Sequence, residues 1–127
     1  MWAAKSAVVQ GHVVSHPASD VFTSVLTVEE SLVGWLTALR RAKSNDQRAE
    51  IYDRMAASAR AMSQLQIVSC SRDALHRYDV LIRQHLNVGG YDLRIAAIAL
   101  EAGAIVVTHN LSDFRRVPGL ICEDWSV

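Results

Sequence analysis

Glu30, Asp92 and Asp113 each follow a strand-like apolar stretch or stand at the start of a helix, in three separate segments of a 127-residue chain. Carboxylate oxygens are the donors that hard divalent ions such as Mg2+ and Mn2+ prefer, and such ions keep several of their waters. Gathering carboxylates without a cation is costly, because two charges about 4 Å apart repel by about 4 kcal/mol at an effective dielectric of about 20. Around a metal, the same groups can activate water and stabilise the charge that develops as a phosphodiester is cleaved. Sequence spacing alone does not bring the three together.

Each acid also has a purely structural reading. Thr27-x-x-Glu30 fits a capping box in which Glu30 bonds the backbone of Thr27. Glu29 competes with Glu30 for any site, since adjacent helical residues point about 100° apart. Asp92 fits a helix N-cap, and Asp113 fits the cap of a short turn. His12 and His16 have the i, i+4 spacing of a helical metal pair, but Pro17 and the absence of a nearby third ligand weigh against it. Arg40, Arg41, Lys43, Arg48, Arg54 and Arg60 outnumber Asp46, Glu50 and Asp53 in their segment. That excess suits either RNA steering or a solvated face laced with pairs such as Glu50–Arg54.

The elements that must position these residues follow from apolar periodicity and its breaks. Residues 21–26 are β-branched and apolar, which predicts a strand. Thr27 then opens a helix with Val28, Leu32, Trp35, Leu36 and Leu39 at helical spacing, closed by Arg40, Arg41 and Lys43. A second helix is expected over 45–64, with Tyr52, Met55, Ala56, Ala59 and Met62 on one face, and a short strand over 66–70. The next helix, 71–86, turns Leu75, Tyr78, Leu81 and Ile82 inward and breaks at Asn87-Val88-Gly89-Gly90. Asp92 starts an alanine-rich helix over 93–102, and Gly103 stands where a C-terminal cap belongs. A strand over 104–108, a polar loop over 109–113 and a last strand over 120–123 complete the chain. Alternating strands and helices predict an α/β domain with a central, mainly parallel sheet flanked by helices. In such sheets the working groups gather at the carboxyl ends of strands.

Composition narrows the classes. With 50% hydrophobic and 20% charged residues, 6 Gly and 2 Pro, the chain can bury a core, which excludes disordered and low-complexity readings. Residues 1–127 are expected to form one domain. Thirteen Lys+Arg balance thirteen Asp+Glu, so nucleic-acid contact must rest on a local patch. The basic residues are arginines except Lys5 and Lys43, and guanidinium forks suit phosphates. The longest apolar stretch, 95–100, falls far short of the ~20 residues of a membrane span, and the N-terminus lacks the pattern of a signal peptide. Cys70 and Cys122 have no metal spacing and read as reduced core thiols of a cytoplasmic protein.

Longer motifs carry a resemblance. Gly90-Tyr91-Asp92-Leu93-Arg94-Ile95-Ala96-Ala97-Ile98-Ala99-Leu100, then Gly103-Ala104-Ile105-Val106-Val107-Thr108-His109-Asn110-Leu111-Ser112-Asp113-Phe114, then Val117-Pro118-Gly119-Leu120, resemble the C-terminal half of a PIN domain, most closely that of VapC-type toxins of bacterial toxin–antitoxin pairs. Upstream, Ser24-Val25-Leu26-Thr27-Val28-Glu29-Glu30 followed by Gly34-Trp35-Leu36 is similar to the family's helix-borne acidic motif, so the likeness spans about residues 20–126. The resemblance implies an endoribonuclease dependent on Mg2+ or Mn2+, with RNA as substrate and a cognate antitoxin protein as partner. It implies Glu30, Asp92 and Asp113 as catalytic metal ligands, with Thr108 and Asn110 as accessory polar groups beside the last acid.

One departure stands out. The family begins with a strand ending in Asp-Thr-Asn or Asp-Thr-Asp, whose first Asp is a principal metal ligand, whereas no acid precedes Asp20 here. The chain is therefore expected to be truncated at its N-terminus, lacking that strand and carboxylate, unless residues 2–9 take the strand's place. An impaired PIN-like module that binds an antitoxin or a second subunit is the alternative function. Unpaired strand edges lead to the further expectation of a two-fold dimer. A receiver-type signalling domain would need an acidic pocket at its first strand, which is not evident.

Overall fold

The computed structural model describes residues 7–126. In chain order it contains α1 (Ala7–Ser15), β1 (Phe22–Ser24), α2 (Val25–Arg41), α3 (Asn45–Ser63), β2 (Gln66–Val68), α4 (Arg72–Arg83), α5 (Gly90–Ala102), β3 (Val106–Val107), α6 (Leu111–Phe114) and β4 (Cys122–Glu123), with a 3-10 turn at Ala18–Asp20. The α/β class expected from the sequence is present, and both strand pairings are parallel. The strands form two separate pairs instead of one continuous sheet. β1 lies beside β2 with Phe22 opposite Gln66 and Ser24 opposite Val68, and β3 lies beside β4 with Val106 opposite Cys122. The idea that residues 2–9 form a strand finds no support at residues 7–9, which are helical, and otherwise falls outside the described residues.

Serine caps set where the strands end. Ser24 Oγ accepts from the Thr27 backbone N–H at 3.4 Å, so α2 begins at Val25 and cuts the expected strand to three residues. This also removes the capping box at Thr27, because the capping residue lies three positions earlier. Ser44 Oγ accepts from the Gln47 N–H at 3.2 Å, and Gln47 Oε1 accepts from the Lys43 N–H at 2.7 Å, a reciprocal arrangement that starts α3. Ser71 caps α4 through the Ala74 N–H at 3.1 Å. Asp92 lies in the first turn of α5 and does not cap it; Gly89 occupies that position. At the other end Gly103 is left-handed, with φ 63°, as its expected capping role requires.

The core lies on both sides of α5. One cluster joins Leu81, Leu93, Ala96, Ala97, Ala99, Val106, Phe114 and Val117, and a second joins Leu26, Ala74 and Ile98. Ile95 packs against both. Ala74, Ala96 and Ala97 are 0% exposed, and these small side chains let α4 and α5 approach closely. The buried stripe of α4 is thus Ala74 and Leu81 with Tyr78 beside them; Leu75 and Ile82, expected inside, are exposed. Leu32, Leu36 and Tyr52 are likewise exposed. Cys70 and Cys122 are free and half-buried. Among the described residues no helix is long and apolar enough to cross a membrane.

Candidate active site

At the N-terminus of α5 the charges of the other two acids reach Asp92. A helix start favours a carboxylate, yet the Asp92 carboxyl is raised above its ordinary value of 3.8, chiefly by burial, then by the negative charge of Asp113, then by that of Glu30. Side chains from α2, α5 and α6 therefore share one electrostatic neighbourhood around Asp92. Glu30, not Glu29, is the α2 acid whose charge reaches Asp92.

Tyr91 joins two of the three elements. Its hydroxyl donates to the Leu26 carbonyl oxygen at 2.6 Å, fixing the start of α5 to the first turn of α2, one turn before Glu30. Burial pushes the Tyr91 phenol up to about 12, helped by the negative charge of Glu30. Sequence reading quoted Tyr91 only as part of a motif. Its partner is a backbone carbonyl 65 positions away, which no local signal reveals.

Asp113 is held at both carboxylate oxygens. Asn110 Nδ2 donates to Oδ2 at 2.8 Å, and Arg116 Nη1 donates to Oδ1 at 3.2 Å. Asn110 is itself fixed, because Ser112 Oγ donates to its Oδ1 at 3.3 Å and its backbone N–H donates to Thr108 Oγ1 at 2.9 Å. Thr108 thus shapes the loop, and Asn110 orients the acid. The expected polar loop is in part helical, since Asp113 lies within the single turn of α6. Arg116 is a second residue that sequence reading did not single out.

The donor chemistry suits a hard divalent ion: all three acids offer oxygen, and their charges repel at Asp92 with nothing cationic among the causes of its shift. Among the described residues, however, no group of three Asp, Glu, His or Cys side chains has the placement to hold an ion. Mg2+ needs no such group, as it is commonly held by one or two carboxylates and its own waters. One or two of Glu30, Asp92 and Asp113 would suffice for that mode of binding.

His12 and His16 do something other than ligate. Both stack on Trp125, at ring-centroid distances of 5.4 and 4.8 Å, and His16 Nδ1 bonds the His12 carbonyl at 2.7 Å. Trp125 Nε1 donates to Glu123 Oε2 at 2.8 Å, so α1 packs against the segment that follows β4. Nearby, Asp124 is held below the usual carboxylate range by the Ser126 hydroxyl and N–H, and to a lesser degree by His109. In the basic segment, Arg54 pairs with Glu50 at 2.8 Å. An open groove between α2 and α3 is lined by Trp35, Arg41, Gln47, Glu50 and Arg54 but by none of the three acids.

No protein-family model matches the chain. It is 49% identical over 45 residues to the tRNA(fMet)-specific endonuclease VapC of Salmonella typhimurium, covering 35% of this chain and 34% of the relative. It is 35% identical over 68 residues to ribonuclease VapC2 of Rickettsia felis, covering 50% and 51%. The matches span about a third to a half of the length of these curated relatives. Among solved structures, DNA-bound VapBC from Salmonella typhimurium aligns with a TM-score of 0.76 and 27% identity, over 96% of this chain and 87% of that one. The α/β fold and these likenesses support a PIN-type domain. Within that class its likeness is to proteins of the VapC type.

Proposed function

We propose that this chain is a divalent-metal-dependent endoribonuclease of the VapC toxin type, working with Mg2+ or Mn2+ on an RNA substrate and restrained by a cognate antitoxin protein. The observation that carries this reading is the grouping of three acids from α2, α5 and α6 around the start of α5, where the charges of Asp113 and Glu30 disfavour ionisation of the half-buried Asp92. Charges arranged in that way have a use when a cation joins them. The activities of the relatives, an endonuclease specific for a tRNA and a ribonuclease, support RNA as the substrate. The likeness to a VapBC assembly supports an antitoxin partner.

Glu30, Asp92 and Asp113 would hold the ion, and the ion would supply a water of lowered pKa and stabilise charge on the scissile phosphodiester. Asn110 keeps the Asp113 carboxylate aimed, Thr108 holds the loop beneath it, and Tyr91 keeps the α2 and α5 acids in register. The decisive experiment is cleavage of an oligoribonucleotide across Mg2+ and Mn2+ titrations, with Asp92→Asn as control. The expected outcome is metal-dependent cleavage, stronger with Mn2+ because that ion binds a given oxygen and nitrogen site more tightly, and abolished in the variant. Cleavage that survives chelation, or that Asp92→Asn leaves unchanged, would remove this site from the mechanism. Antitoxin binding without any cleavage would point to the impaired-module alternative.

A further inference from the structure

We propose that Arg116 is a positioning residue that locks the Asp113 carboxylate and ties it to the loop leading into the Asp92 helix; this rests on the ribonuclease reading above. Its Nη1 carries two N–H groups and meets two acceptors, Asp113 Oδ1 at 3.2 Å and the Asn87 carbonyl oxygen at 2.8 Å. With Asn110 on Oδ2, both oxygens of Asp113 have a fixed donor, which sets the rotamer of the carboxylate.

The second acceptor gives the contact its reach. Asn87 is left-handed, with φ 57°, and His85 two residues earlier is also left-handed, with φ 53°. These unusual conformations shape the connection between α4 and α5, which ends at the Gly89 cap of α5, three residues before Asp92. Arg116 therefore bridges the segment that presents Asp92 and the segment that presents Asp113. The two acids repel each other, as the raised Asp92 carboxyl reports, and a cationic tie opposes the opening that repulsion favours. As a surface ion pair the contact would be worth little, since the Arg116 and Asp113 side chains are 45% and 32% exposed. Its value lies in geometry.

The experiment compares Arg116→Ala and Arg116→Lys, each alone and combined with Asp113→Asn. It uses Mn2+ binding followed by electron paramagnetic resonance without RNA, and separate kcat and KM values on an oligoribonucleotide. Loss of an outer-sphere partner of a metal ligand typically costs about 10- to 100-fold in metal affinity or activity, and that is the loss expected for Arg116→Ala in Mn2+ affinity and kcat, with KM unchanged. Arg116→Lys should recover part of it, because an ammonium keeps the charge but not the planar fork. In the Asp113→Asn background Arg116→Ala should add no further loss of Mn2+ affinity, since the two act as a unit. Equal losses in both backgrounds would overturn the proposal, as would a rise in KM with kcat intact, which would mean that Arg116 contacts RNA. Asp92→Asn, run alongside, separates the two levels: if it cleaves normally the site itself falls, and if it is inactive while Arg116→Ala behaves as the unmodified chain, only the role of Arg116 falls.

Discussion

Two influences oppose each other at Asp92. The first turn of α5 favours its negative charge, while burial and the charges of Asp113 and Glu30 disfavour it, and the net direction is upward from 3.8. A carboxyl raised in the folded state contributes stability that is fully present below its unfolded value and is lost as pH rises through its folded value. At neutral pH the ionised Asp92 is therefore a liability to the fold. Asp92→Asn should melt higher than the unmodified chain at pH 7, and the difference should shrink as pH falls through the raised value. Mn2+ should raise the melting temperature of the unmodified chain and leave the variant unmoved, because an ion that binds only the folded state stabilises it. A variant that melts lower at pH 7, by an amount independent of pH, would show that Asp92 serves as a structural group. The trade of stability for a charged site is common where function needs strain.

At the scale of elements, two glycines of this chain should respond to alanine with opposite signs. A Cβ added at Gly34, in the interior of α2, meets nothing within 4 Å. Gly34→Ala should then stabilise by about 0.5–1 kcal/mol through reduced unfolded-state freedom. Gly103 has equal space around it but a φ of 63°, so Gly103→Ala should destabilise by about 1–2 kcal/mol. Urea denaturation of both variants checks the pair, and equal signs would refute the argument. Gly103 was legible in the sequence because a glycine after an apolar helix is a local signal; so was the order of strands and helices from β1 onward, except for the short α6. Strand lengths were not, because Ser24 draws Val25 and Leu26 into α2 against their β-branched, apolar appearance. The buried face of α4 was misread for a related reason: Ala74 rather than Leu75 meets α5, since close approach rewards the smaller side chain. The candidate acids stand out in the sequence by their places after strand-like segments or at helix starts. Tyr91 and Arg116 could not, because each acts on a distant carbonyl, at Leu26 and Asn87, that only the folded chain brings near.

The whole molecule has its parallel strands in two pairs, so among the described residues each strand has one ladder partner and one edge without one. Phe22 and Ile67 on the first pair and Val107 on the second are exposed, as is Ile121 next to β4. Open edges beside apolar side chains invite pairing with another chain, and natural proteins discourage it with charge or proline at such places. None of β1, β2 and β3 carries a charged residue or a proline. We therefore expect self-association, in its simplest closed form a two-fold dimer, since an isologous interface ends growth after one copy is added. Sedimentation should show a concentration-dependent dimer, and Ile67→Lys, which places a charge on the β1–β2 pair, should shift it toward monomer without lowering the melting temperature, because Ile67 is 48% exposed. If the unmodified chain stays monomeric at every concentration, these edges are satisfied within one molecule. A dimer indifferent to Ile67→Lys, by contrast, would place the interface away from the first pair, on the exposed face of α2 where Leu32, Val33 and Leu36 lie.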